Sequence, residues 1–154
     1  MGFLSEKEFE AHLRKEIISP LLRKHKDFYL MESKKAVDIL ICKNGIKPGL
    51  FFIEVKYHRS NHRRLGFGQG KGGGFQPELL INNPSYFQAN MRWILGVEEQ
   101  NGYLFLTNDE IVKSVSSGNV EKKYNNIQTR IFKERKLLTS YQLKAEISKW
   151  LGLK

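Results

Sequence analysis

Residues 34–58, KKAVDILICKNGIKPGLFFIEVKYH, hold two runs rich in β-branched and aromatic residues around a segment with Asn-Gly and Pro-Gly pairs. Such runs read as strands and such pairs as turns, so the stretch predicts a β-hairpin. A third strand-like run, FYLME, precedes it. The hairpin also carries charges where a strand this apolar has little room for them. Asp38 stands in the first run, and Glu54 and Lys56 stand two residues apart in the second. Side chains alternate faces along a strand, so Phe52, Glu54, Lys56 and His58 share one face, and Phe51, Ile53, Val55 and Tyr57 the other. Pairing of the two runs brings Asp38 and Glu54 towards one end of a sheet. Carboxylates and an ammonium clustered there are costly to bury without a cation or partner to balance them. Oxygen ligands of this kind suit Mg²⁺, which needs few protein ligands and keeps its waters.

The elements on either side give the order. Ser5 followed by Glu8 is a capping-box pattern, and Phe9, Leu13, Ile17 and Leu21 repeat at helical spacing, with Pro20 expected to kink or end the helix. After the hairpin, six of the nine residues from Gly66 to Gly74 are glycine, which argues against regular structure. NPSYFQANMRWILGVEEQ is then expected to be helical, with Phe87, Met91, Ile94 and Leu95 on one side. GYLFLTND reads as a short buried strand, with Asn108 or Asp109 capping a brief helix after it. One more strand is expected near IQTRIFK, and a last helix from Ser140 with Leu143, Ile147, Trp150 and Leu151 as its apolar face. Helix, three strands, helix, strand and a smaller tail make an α/β fold on a mixed sheet.

The 154 residues fit one domain. Lys and Arg number 26 against 16 Asp and Glu, a net charge of +10 that favours a polyanionic partner. Cys42 is the single cysteine, which excludes an intrachain disulfide and a cysteine-built zinc site and suits a reducing, cytoplasmic setting. No apolar run approaches the roughly 20 residues of a membrane span, and no signal-peptide pattern opens the chain.

The pattern of Asp38, then Glu54-Val55-Lys56 one hairpin later, in a helix–three strands–helix–strand order, resembles the PD-(D/E)XK nuclease superfamily. The proline usual before the aspartate is Val37 here. The acid-x-Lys string alone carries little weight, since ESK, EKK and ERK also occur in this chain. Only EVK lies in an apolar strand that follows another strand holding an aspartate. The alternative is that these residues are edge charges or a structural ion pair.

The resemblance implies a restriction endonuclease-like αβββαβ core, a mixed central sheet flanked by helices. It places the catalytic core at about 5–107 of a single nuclease domain, with a basic strand and helix extension over about 120–154. It implies Mg²⁺-dependent phosphodiester hydrolysis, Mn²⁺ being able to substitute. Asp38, Glu54 and the backbone carbonyl of Val55 would be ligands, and Lys56 would orient the attacking water. Some members add an acid from the first helix; Glu10 is the candidate, with Glu6 behind it.

From Val55 to Pro77 there is no acidic residue. His58, Arg59, His62, Arg63, Arg64, Gln69 and Lys71 are therefore expected to contact DNA. Gly68, Gly70 and Gly73 fit a dinucleotide fingerprint by spacing alone, without the strand and helix it needs. The expectation is a sequence-specific DNA endonuclease acting as a homodimer or larger symmetric assembly, since one chain carries one site. A structure-selective nuclease (a Holliday-junction resolvase, a repair or a homing enzyme) and a non-catalytic nucleic-acid-binding protein on the same fold are the alternatives.

Overall fold

The computed structural model describes residues 2–32, 37–60, 65–66, 80, 84–115 and 126–153. Ser5, extended at φ −156° and ψ 162°, caps helix α1 (Glu6–His12) by accepting from Glu8 N at 3.1 Å. The Glu8 carboxylate in turn takes the Leu4 N–H at 2.8 Å. The helix runs on through a π-helical segment (Leu13–Ile18) into a last turn, α2 (Ser19–Leu22). Pro20 therefore does not end it. The wider ladder comes before the proline, with Ser19 N bonding to Arg14 O. Pro20 itself falls in the first turn of α2, where a missing N–H is tolerated.

Strands β1 (Phe28–Met31), β2 (Ile39–Lys43) and β3 (Gly49–His58) form an antiparallel meander. Lys43 pairs with Gly49, and Gly45 turns the loop between them at φ 95°, a conformation that favours glycine. A short strand β4 (Leu65–Gly66) follows, and the chain then returns through helix α3 (Ser85–Asn90) to β5 (Met91–Val97), which lies parallel to β3. Strand β6 (Gln100–Leu106) closes the sheet antiparallel to β5, giving the order β1-β2-β3-β5-β6.

The helix expected across residues 83–100 is thus mostly wrong. Only Ser85–Asn90 is helical, and Met91–Val97 is a central strand. The strand is buried on both faces, with Met91, Trp93, Leu95 and Val97 on one side and Ile94 and Gly96 on the other. A continuous apolar run of that kind satisfies helical spacing by accident.

Thr107, not Asn108 or Asp109, caps α4 (Asn108–Val112) through a capping box with Glu110. Asn108 is instead buried and accepts from Trp93 Nε1 at 2.8 Å. The strand expected near IQTRIFK is confined to β7 (Asn126–Ile127), which pairs with β4; α5 (Ile131–Glu134) follows. The last helix, α6 (Ser140–Leu151), buries Leu143, Ile147 and Leu151 and stops at Gly152 in the left-handed conformation.

The result is a mixed α/β architecture with helices on both faces of a five-stranded mixed sheet. One apolar layer joins α1, the π-helical segment and α6 to Ile39, Ile41, Ile53, Val55, Tyr57 and Ile94. The other sets Met91, Trp93 and Leu95 against Ile111, Val115, Ile127, Ile131 and Phe132. Among the described residues no helix is long and apolar enough to cross a membrane.

Gly96 marks the tightest helix–sheet approach. A Cβ there would stand 2.6 Å from the ring of Phe9, which is fully buried. Gly96→Ala is expected to lower stability by about 1–3 kcal/mol through this overpacking, measured as the urea midpoint. An unchanged midpoint would mean that α1 can shift freely.

Candidate active site

Strand β3 outlasts its partner. The β2–β3 pairing ends at Ile39 opposite Ile53, while β3 continues beside β5 to His58. The N–H groups of Val55 and Tyr57 therefore face a side with no β2 residue opposite, and an unbonded amide there would be costly. Two carboxylates take them. Asp38 Oδ2 accepts from Val55 N at 2.7 Å, and Glu6 Oε2 accepts from Tyr57 N at 3.2 Å. Asp38 arrives because it immediately precedes β2, and Glu6 because α1 reaches round this open edge.

The neighbouring side chains of β3 complete the cluster. Glu54 is 1% exposed and Lys56 5%, beside Trp93 and Leu95 of the paired strand. Lys56 Nζ lies 2.9 Å from Glu54 Oε1 and 3.6 Å from Glu6 Oε1. Burial pushes the Glu54 carboxyl up to about 8; Lys56 opposes this, while Asp38 adds to it through its charge and a hydrogen bond. Burial likewise raises the Glu6 carboxyl, against the pull of Lys56 and the Tyr57 amide. Lys56 goes the other way from an isolated buried lysine. Burial alone would lower it, but Glu54, Glu6 and Asp38 outweigh that and hold it charged.

A second tier of contacts fixes the backbone. Arg14 donates through Nη2 to the Asp38 carbonyl, through Nη1 to Met31 O at 3.3 Å, and through Nε to Glu10 Oε1 at 2.7 Å. Glu10 thus lies against Arg14, and it is Glu6, one helical turn earlier, that reaches Lys56. The two acids sit four residues apart on one helix face, so sequence spacing could not choose between them. The Tyr57 hydroxyl accepts from Phe3 N at 3.1 Å, and Arg59 Nη1 donates to Leu4 O at 2.7 Å, tying the chain's first residues to β3. The His58 ring stacks on Phe132 at 6.4 Å between centroids. His62, Arg63, Arg64, Gln69 and Lys71 lie outside the described residues.

The donor chemistry fits a hard divalent cation. Asp38 and Glu54 bring carboxyl oxygens together, and a strand residue sends its N–H and C=O to the same side, so the Val55 carbonyl also faces Asp38. A carboxyl pushed up by burial beside a second carboxylate is what a cation would relieve. Among the described residues no three His, Cys, Asp or Glu side chains close around a metal. Mg²⁺ does not require that, because one or two carboxylates and its own waters suffice. Comparison with known proteins finds no family model and no curated protein that matches this chain.

Proposed function

We propose that the protein is a Mg²⁺-dependent DNA endonuclease of the PD-(D/E)XK kind, cutting both strands at a specific sequence. The observation that carries the reading is the buried Glu54–Lys56 pair on β3, set beside Asp38 and Glu6 at the strand's open edge. The β1-β2-β3-β5 order, with β3 and β5 parallel, supports a restriction endonuclease-like αβββαβ core beneath it.

Asp38, Glu54 and the Val55 carbonyl would hold Mg²⁺, with Mn²⁺ able to substitute. The bound metal makes a water a better nucleophile near neutral pH and offsets charge building on the scissile phosphate. Lys56, kept as an ammonium by its three carboxyl neighbours, donates to the attacking water and to a phosphate oxygen; it does not act as the base. Glu6 steers the Lys56 head group. Glu6→Gln keeps an acceptor for Tyr57 N–H but removes the charge. It is expected to slow cleavage by about 10-fold or more, by analogy with lost supporting contacts at metal sites. Glu10→Gln should have a smaller effect, and a reversed ranking would return the helix acid to Glu10.

One chain supplies one site, so double-strand cleavage calls for a homodimer or larger symmetric assembly, in a cytoplasmic setting. The test is incubation with plasmid, a four-way junction and single-stranded DNA, with Mg²⁺ and separately with Ca²⁺. Discrete plasmid fragments in Mg²⁺ are expected. Cleavage confined to the junction would make the protein a structure-selective nuclease. Binding without cleavage in Mg²⁺ would make it a non-catalytic binder on this fold.

A further inference from the structure

The tail of the chain is joined to the end of the proposed cleavage strand. Phe132 of α5 stacks on His58, two residues beyond Lys56, with the ring planes 19° apart. Leu65 of β4 pairs with Ile127, and Ile127 bridges on to Val115, three residues past α4. Gln128 ties the same elements, its N–H bonding to Ser114 O at 2.8 Å and its Nε2 to Val115 O at 3.1 Å. The end of α4, β7 and α5 therefore form one wall on the face of the sheet that carries Glu54, Lys56 and His58.

The outer side of that wall is basic. Lys113, Arg130 and Lys133 are exposed, and Lys113 and Arg130 line one crevice with Ser114 and Gln128. Arg130 and Lys133 are three residues apart, hence on the same side of the turn. Among the described residues that line the crevice the one acid is Glu134, whose 3.5 Å pair with Arg130 is well exposed and so easily exchanged for another anion.

We propose that this wall is a second nucleic-acid contact, in which Lys113, Arg130 and Lys133 bind the sugar-phosphate backbone flanking the scissile phosphate. The inference rests on Glu54 and Lys56 being the cleavage centre. A duplex carries roughly one charge per 1.7 Å of axis, so several phosphates pass α5 when one lies at Lys56. The contact is to backbone alone. It adds affinity and orientation without base preference.

The test compares Arg130→Glu/Lys133→Glu with Lys15→Glu/Lys149→Glu, a pair of equal charge change whose residues are exposed on the opposite helical layer. Duplex binding is read by fluorescence anisotropy in Ca²⁺ over a range of salt, with circular dichroism confirming the fold. The first pair is expected to weaken binding at least about tenfold near 0.1 M salt and to reduce the slope of log K against log salt by about 2, equally on unrelated sequences. The control pair should leave the slope near that of the wild type. An unchanged slope in the first pair, or equal losses in both, would overturn the proposal. Lack of Mg²⁺-dependent cleavage by the wild-type protein would instead remove the proposed activity, leaving this binding result to stand by itself.

Discussion

Asp38→Asn and Lys56→Ala are each expected to reduce Mg²⁺-dependent DNA cleavage by at least about 10²–10³-fold, with folding intact. The size follows from the several kcal/mol that charge stabilisation at a phosphoryl centre supplies, at 1.36 kcal/mol per tenfold in rate. Asparagine is the sharper choice at 38. Its side-chain oxygen can still accept from Val55 N–H, the bond now made by Asp38 Oδ2, so only the charge is withdrawn. Lys56→Ala removes the ammonium that lies against Glu54 and Glu6. Single-turnover cleavage of a plasmid at saturating Mg²⁺ is the measurement. Wild-type rates in either variant would end the assignment of this cluster as the cleavage centre.

Glu54→Gln should separate activity from stability. In the native protein the Glu54 carboxyl is pushed up to about 8 by burial and by Asp38, against 4.5 for an ordinary glutamate. The native state therefore prefers the protonated form. Its contribution to stability is fully present below pH 4.5 and is lost as pH rises through 8. At 1.36 kcal/mol per pH unit of displacement, ionising this group without a metal costs the fold on the order of a few kcal/mol. The glutamine variant has nothing to ionise. Above pH 8 in chelator it is expected to unfold at higher denaturant than the wild type, while losing the proposed cleavage. Added Mg²⁺ should stabilise the wild type and not the variant, because only a metal bound to the native state shifts its unfolding. Parallel stability profiles of the two proteins from pH 5 to 9 would show that Glu54 does not carry this strain.

Much of the sheet is local in origin, and that part is legible from residues alone. Asn44-Gly45 and Pro48-Gly49 fix the β2–β3 turn, and Asp38, Glu54 and Lys56 stand out because charges interrupt apolar runs of sequence. What escapes is set by contacts distant in sequence. Met91–Val97 passes for a helix because both its faces are covered, one by α1 and α6 and the other by α4 and α5. Glu6 and Glu10 are interchangeable until the crossing of α1 over β3 puts one on Lys56 and the other on Arg14. Thr107 had a legible signal, since Glu110 stands three residues on; the expectation of Asn108 or Asp109 passed over it.

The end of β3 that β2 does not cover has a consequence for solubility. A strand edge with free amides is a template for another chain, and proteins blunt such edges with charge or cover. Here Asp38 and Glu6 occupy the Val55 and Tyr57 amides, and Arg59 fastens Leu4 beside them. The acids proposed for chemistry are therefore also what closes this edge to self-association. Alanine at 38 or 6 would open a short stretch of backbone to intermolecular pairing, whereas the amides would keep it shut. The same two carboxylates would then serve the proposed chemistry and the protection from aggregation.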